Sequence, residues 1–178
     1  MSLDLTDIKA LLIRHEGCRF SPYQDSMGIW TIGVGRNLQS KGISHEEASE
    51  SPSLRSLKSL LTTDPTYATE AFCTVMRWLT IDQTAVDLLL DHDICDAITD
   101  VKRLCSVYDE LSVPRQACLV DMAFNLGYTR FSKFVRFWNA IHKEDFAEAA
   151  EEMLASKWAA QVKGRATELA RMMKENVL

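Results

Sequence analysis

The segment 14–38, RHEGCRFSPYQDSMGIWTIGVGRNL, constrains the fold more than any other part of this 178-residue chain. A helical pattern of apolar residues ends at Glu16, and Gly17 follows directly, which favours a left-handed helix stop. Next come the run 20–25, a short turn that contains glycine, and a second run rich in β-branched and aromatic residues. The segment therefore predicts a helix that ends at Glu16 and leads into a hairpin over 20–35.

Two carboxyl groups of this segment suit the hydrolysis of a glycosidic bond. Glu16 would hold one carboxyl rigidly at the helix end, and the hairpin would carry Asp25 back toward it. Such a reaction needs one group to protonate the leaving oxygen and another to support attack at the sugar carbon. Acidic residues are also common on protein surfaces. Their spacing alone therefore leaves open an ordinary helix-to-hairpin connection with two exposed acids.

The run HEGCRFSPYQDSMGIWTIGVGRNL at 15–38 resembles the active-site segment of the phage lysozymes of glycoside hydrolase family 24. In that family a helix-terminal Glu, an Asp shortly after a Tyr, and a Thr in the following strand carry the chemistry. Glu16, Asp25 and Thr31 stand at these positions. Other stretches that resemble family motifs are VYDEL at 107–111, MAFNLG at 122–127 and the segment from Phe146 to Trp158.

The resemblance implies an α+β fold. We expect a mostly helical, two-lobed lysozyme-like architecture with a small antiparallel β-sheet in the N-terminal lobe and a long interlobe helix. Residues 1–178 would form a single catalytic domain. Its small lobe would span about 17–79, including a divergent helical insertion at about 40–79. Its large helical lobe would combine 1–16 with about 80–178.

The resemblance also implies a peptidoglycan hydrolase. A muramidase of this family cleaves the β-1,4 bond between N-acetylmuramic acid and N-acetylglucosamine with inversion, in phage-type lysis of the host. Glu16 would be the general acid. Asp25 would stay ionised, and Thr31 would help it to hold the attacking water.

Further site residues follow from the same resemblance. Tyr23 and Arg165 would support the active site, with Arg165 near Glu16. The expected substrate-binding residues are Arg36, Asn37, Phe124 and Asn125.

Two other functions remain as alternatives. A lytic transglycosylase of similar fold keeps the glutamate but dispenses with the aspartate, so Asp25 and Thr31 argue against it. A non-catalytic wall-binding or virion module would not require all three catalytic side chains, which argues against that function too.

Helix signals continue along the chain. Thr6, Ser44, Ser51 and Thr80 are predicted to cap helices, the last of which would run to about Leu104. A helix that begins after Ser112 and ends at Gly127 is apolar nearly all round, which predicts that it is buried. The four tryptophans are interpreted as core residues rather than sugar platforms: Trp30, Trp78, Trp138 and Trp158.

The composition is that of an ordinary globular protein. The chain is 47 % hydrophobic and 25 % charged, and no apolar run approaches the roughly 20 residues that span a bilayer. Charged residues interrupt the N-terminal apolar positions, so we expect no signal peptide. The resemblance to phage lysozymes then implies that the protein stays in the bacterial host cytoplasm, as a monomer, until a holin-type membrane protein gives it access to peptidoglycan. No nucleic-acid-binding motif is present.

Neither a cofactor nor a metal ion is expected. The run Asp91-His92-Asp93 is interpreted as an acidic solvated helix face rather than a metal site, because neighbouring residues on a helix point apart. Five cysteines without regular spacing are interpreted as free thiols.

Overall fold

The computed structural model of the protein describes residues 5–64, 67 and 69–178. Within these residues a small antiparallel sheet near the N-terminus is followed by helices only, which confirms the predicted α+β fold class. The elements in chain order are α1 (Leu5–Glu16), β1 (Arg19–Gln24), β2 (Trp30–Gly33), β3 (Arg36–Asn37), α2 (His45–Glu50), α3 (Pro52–Thr63), α4 (Glu70–Trp78), α5 (Gln83–Leu104), a 3-10 turn (Tyr108–Glu110), α6 (Val113–Leu126), α7 (Tyr128–Phe131), α8 (Val135–His142), α9 (Phe146–Leu154), α10 (Lys157–Val162) and α11 (Gly164–Glu175).

The chain divides into two compact units. Residues 12–93 form the first unit, and the remainder of the described chain forms the second. The long helix α5 contributes to both, with the division between Asp93 and Ile94. The lobe boundaries expected from the sequence stay a prediction. No helix in the described part of the chain is long and apolar enough to cross a membrane.

The predicted helix stop and hairpin are confirmed. Gly17 has a φ of 75°, and its N–H donates to the carbonyl of Ile13 over 2.9 Å. This left-handed residue ends α1, and the chain then forms three antiparallel strands in the order β1-β2-β3.

Two of the predicted caps are confirmed. Ser44 accepts the N–H of Glu47, and the Glu47 carboxylate accepts the N–H of Ser44, which completes a capping box on α2. Ser51 caps α3 by accepting the N–H of Leu54, with Pro52 as the first helical residue.

Two other predicted caps are wrong. Helix α1 is already formed at Leu5, so Thr6 lies inside its first turn. Helix α5 begins three residues after Thr80, and the side chain of Asp82 accepts the N–H of Ala85 over 2.8 Å. Asp82 is the N-cap residue because it directly precedes Gln83, the first helical residue, and its carboxylate reaches the N–H of Ala85.

The burial of α6 is confirmed. All eight residues from 116 to 123 are buried, and the helix ends at Gly127, which has a φ of 69° and donates its N–H to Ala123. This helix is therefore buried within the second unit.

The prediction for the tryptophans fails at Trp78. Trp78 is 84 % exposed, whereas the other three tryptophans are buried. Helix α4 buries Phe72 and Met76, one turn apart on one face. Trp78 follows Met76 by two residues and so lies on the opposite side of this helix.

A buried guanidinium joins three elements of the first unit. Arg36, on β3, is 3 % exposed and pairs with Glu47 of α2 over 2.7 Å and with Asp93 of α5 over 2.8 Å. It also donates to the carbonyl oxygens of Gly42 and Leu89. Its charge and its donors are therefore compensated inside the fold.

The run 91–93 is not the solvated face that its composition suggested. The side chain of Asp93 is only 10 % exposed and binds both Arg36 and Lys41. His92 forms a hydrogen bond of 3.0 Å with Glu47 through Nδ1. Asp93 is largely buried because its carboxylate compensates the charge of the buried Arg36.

Glu47 makes this unit sensitive to acid. Burial by itself raises the pKa of Glu47. Hydrogen bonds from Arg36, the Ser44 backbone and His92, with the charge of Arg36, outweigh it and lower the pKa to about 2. A carboxyl whose pKa is depressed by folding stabilises the fold above its ordinary pKa of 4.5 and loses that contribution as the pH falls toward about 2.

We expect Glu47→Gln to lower the free energy of unfolding at pH 7 by about 2–4 kcal/mol, because part of the Arg36 charge is left uncompensated. Urea unfolding from pH 7 to pH 2.5 measures this, with Glu46→Gln on the exposed face of the same helix as the control. The deficit of Glu47→Gln should shrink below pH 4.5. A deficit that stays constant over this range would contradict the role of the carboxylate charge.

Candidate active site

Glu16 is the last residue of α1 and is half-buried. The left-handed Gly17 fixes the direction in which the chain leaves the helix. The helix holds the backbone of Glu16, so the Cα from which its side chain extends is fixed, three residues before the start of β1.

Asp25 closes the turn of the hairpin. Its Oδ1 accepts the N–H of Met27 over 2.8 Å and that of Ile29 over 2.9 Å. Its own N–H donates to the carbonyl of Ile29, and its carbonyl accepts the N–H of Gly28. The side chain is exposed, so this carboxylate is fixed by backbone donors and still accessible.

Three of the predicted residues form one row across the sheet. Tyr23 on β1 pairs with Thr31 on β2, and Thr31 pairs with Asn37 on β3. Directly opposed residues of antiparallel strands place their side chains on the same face. Tyr23, Thr31 and Asn37 therefore share one face of the sheet.

The phenol of Tyr23 lies within the electrostatic reach of both predicted catalytic carboxyls. Burial raises the pKa of Tyr23, the Arg19 guanidinium 4.3 Å from its ring lowers it, and the charges of Glu16 and Asp25 raise it. The charges of both carboxylates act on the same phenol, and Glu16, Tyr23 and Asp25 all belong to the unit 12–93.

Thr31 is buried, with 6 % of its surface exposed. Its hydroxyl donates to the carbonyl of Ile29 over 3.1 Å. A hydroxyl that donates in this way keeps lone pairs with which to accept a hydrogen bond from water. The Thr31 hydroxyl can thus accept a further hydrogen bond at a fixed position.

Arg36 does not belong to the row. It pairs with Ile32, on the alternate register, so its side chain lies on the opposite face from Thr31 and Asn37. With its guanidinium buried between Glu47 and Asp93, we withdraw Arg36 from the substrate-binding residues. The alternation of side chains along a strand is the sequence signal that places Arg36 and Asn37 on opposite faces of the sheet.

Asn37 is half-buried and has local partners. Its Oδ1 accepts the N–H of Gln39 and that of Ser40, each over 2.9 Å. The side chain therefore shapes the turn after β3 as well as extending the row on the sheet.

The remaining predicted residues belong to the second unit. Phe124 and Asn125, near the C-terminal end of α6, are half-buried, and Asn125 accepts a hydrogen bond of 2.9 Å from the indole of Trp158. Arg165 donates to Oδ1 of Asp121 over 2.8 Å and to the Asp121 carbonyl over 3.3 Å. The support of Glu16 by Arg165 stays a prediction.

Asp121 was missed by the sequence reasoning. It is fully buried within an otherwise apolar helix, where an isolated carboxylate would be costly. An acid in such a helix is itself the signal that a basic partner must exist elsewhere in the chain.

The sequence profile of the phage lysozyme family matches residues 13–174. A probable T4-type lysozyme 2 of Dictyostelium discoideum is 25 % identical over 171 residues, which are 90 % of this chain and 89 % of the relative. A probable T4-type lysozyme 1 of the same organism is 22 % identical over 98 % of this chain and 97 % of its own length. The pre-baseplate central spike protein Gp5 of Enterobacteria phage T4 is 25 % identical over 88 % of this chain but only 26 % of its own length. The chain belongs to the phage lysozyme family.

Proposed function

We propose that this chain is a muramidase, which cleaves the β-1,4 bond between N-acetylmuramic acid and N-acetylglucosamine in peptidoglycan. Membership of the phage lysozyme family supports a lysozyme-like peptidoglycan hydrolase. The observation that supports the finer proposal is that the charges of Glu16 and Asp25 both act on the phenol of Tyr23, which is paired with Thr31 in the sheet. It supplies two carboxyl groups and a hydroxyl on one framework.

Glu16 acts as the general acid in this proposal. Its proton passes to the oxygen of the leaving sugar as the bond between that oxygen and the anomeric carbon breaks. Asp25 acts as the base in this proposal; two backbone N–H groups hold its Oδ1, and its side chain is exposed. Tyr23, whose phenol is within the electrostatic reach of both carboxyls, is proposed to support the site.

A water molecule held by Asp25 and Thr31 supplies the new oxygen. Its oxygen bonds to the anomeric carbon on the face opposite the leaving group, and its proton passes to Asp25, which gives inversion. Asn37, Phe124 and Asn125 are proposed to contact the sugar chain, and Arg165 to support Glu16.

The biological setting follows as part of the same proposal. The enzyme would act in lysis of a bacterial host by a phage or prophage, as a monomer, after a separate holin-type protein opens the membrane.

A second candidate function is favoured by the spike-protein relative. A region like this chain forms about a quarter of that phage protein. A chain of this kind could therefore serve in a phage particle, either as a wall-degrading part or as a wall-binding module without catalysis. Turnover of purified wall separates these roles.

We expect Glu16→Gln to lower the rate of wall cleavage by about 10²–10⁴-fold, because an amide cannot supply the proton. Clearing of purified peptidoglycan and mass spectrometry of the products measure this. Asp7→Asn, an exposed acid on the same helix, is the matched control and should stay fully active. Products of the unsubstituted protein should carry a reducing muramic acid end. An anhydro end would assign a lytic transglycosylase instead, and wall binding without products would assign a binding module.

Two variants of Asp25 are expected to separate its role in the hairpin turn from its role as the base. Asp25→Asn keeps an oxygen for the N–H groups of Met27 and Ile29, so its unfolding free energy should stay within about 0.5 kcal/mol of the original. Asp25→Ala leaves both donors to solvent and should cost about 1 kcal/mol. Both variants should lose wall cleavage, since both lack the base. Urea unfolding and product release, measured on the same samples, test this, and an active Asp25→Asn would contradict the proposed base.

The hydroxyl of Thr31 is tested by two conservative changes. Thr31→Val keeps the branched shape but removes the hydroxyl, and should slow cleavage by about 10²-fold because the water loses its position. Thr31→Ser keeps the hydroxyl and should stay within about tenfold of the original rate. Anomer analysis of the first product by NMR reports inversion in the same reaction. Near-original activity of Thr31→Val would reduce Thr31 to a strand residue.

A further inference from the structure

Helices α2 and α3 border an open groove of about 630 Å³ in the unit 12–93. Three basic side chains line it, His45, Arg55 and Lys58, together with three hydroxyl-bearing side chains and an alanine. No carboxylate is among the lining residues. In a chain whose net charge is −5, the ionisable side chains that line this groove are therefore all basic.

Two of these basic side chains, Arg55 and Lys58, are held in place by backbone carbonyls. Arg55 donates through Nε to the carbonyl of Ala48 over 3.2 Å and through Nη2 to that of Ser49 over 3.3 Å. Lys58 donates to the carbonyl of Ile43 over 2.7 Å. These bonds orient both head groups and use only some of their donors.

The charges of Arg55 and Lys58 are not neutralised within the fold. Among the residues that the structure describes, neither forms an ion pair with a carboxylate, whereas Arg36 pairs with Glu47 and Asp93. Oriented cations without an acidic partner are suited to bind an oxyanion from outside the chain.

We propose that this groove binds the carboxylates of the peptide that peptidoglycan carries on its sugar chain. The choice of this anion rests on the proposed muramidase function, because the substrate then brings the carboxylates with it. The groove is open, and its volume of about 630 Å³ is more than one bare ion needs, so it can accommodate part of a short peptide.

The groove is fixed to the same framework as the candidate active site. Its wall, α2, is tied to β3 by the buried pair of Glu47 and Arg36, and the next residue of β3 is Asn37, which lies opposite Thr31. A peptide bound in the groove would therefore be held on the framework that carries the catalytic sheet. The groove would act in positioning and in choice of substrate, and no bond is made or broken there.

The test measures binding without turnover. The free wall peptide, its fully amidated counterpart and inorganic phosphate are titrated into the full chain, and backbone amide NMR signals of α2 and α3 are followed. We expect the acidic peptide to shift these signals and the amidated peptide to leave them unchanged. The double variant Arg55→Gln with Lys58→Gln should bind the acidic peptide at least about tenfold more weakly. Arg77→Gln with Lys143→Gln removes the same charge from two exposed positions outside the groove and should bind normally.

A purely structural role is distinguished by Arg55→Lys. This change keeps the positive charge but loses the fork that meets two carbonyls, so it should keep most of the affinity even where it lowers the melting temperature. A double glutamine variant that melts earlier yet binds the acidic peptide normally would overturn the proposal. Binding of phosphate without binding of the peptide would overturn it as well.

Failure of this inference is distinguishable from failure of the proposed function. A chain that binds the peptide in the groove but releases no sugar would retain the groove and lose the muramidase assignment. A chain that cleaves wall but does not bind the acidic peptide would retain the muramidase assignment and lose the groove.

Discussion

The buried guanidinium of Arg36 is the interaction on which the sheet depends. It binds carboxylates from α2 and α5 and two backbone carbonyls, so β3 cannot separate from either helix without leaving buried charge unpaired. Such a loss costs several kcal/mol. Because β3 is only two residues long, this cluster rather than its strand hydrogen bonds fixes its place. The position of Asn37 opposite Thr31 follows from it.

The two faces of the sheet carry different residues: one packs into the unit, and the other carries the candidate site residues. Alternation along β3 sends Arg36 into the packing of the unit and leaves Asn37 in the row with Thr31 and Tyr23. The hairpin turn combines two roles in one side chain, because Asp25 both closes the turn and offers its carboxylate to solvent. The proposed chemistry therefore rests on residues whose positions are also required by the fold. In such a site the geometry is fixed before substrate binds.

The segment between the sheet and α5 adds to this framework. Helix α2 supplies Glu47 to the buried cluster on one side and borders a basic groove on the other. The same short helix thus takes part both in the buried pair of Arg36 with Glu47 and in the groove lined by Arg55 and Lys58. Arg55 and Lys58 bind backbone carbonyls, which orient a cation but leave its charge available to a ligand.

The sequence by itself determined the local features of this protein: the end of α1 at Glu16 and Gly17, the hairpin that carries Asp25, and the burial of α6. These depend on hydrogen bonds and periodicities within a few residues, which local residue types decide. Only the tertiary structure decided the partners of the buried charges. Arg36 meets Asp93 across 57 positions, and Arg165 meets Asp121 across 44. No local pattern specifies such pairs, because a buried charge is matched by whichever opposite charge the packing brings within reach.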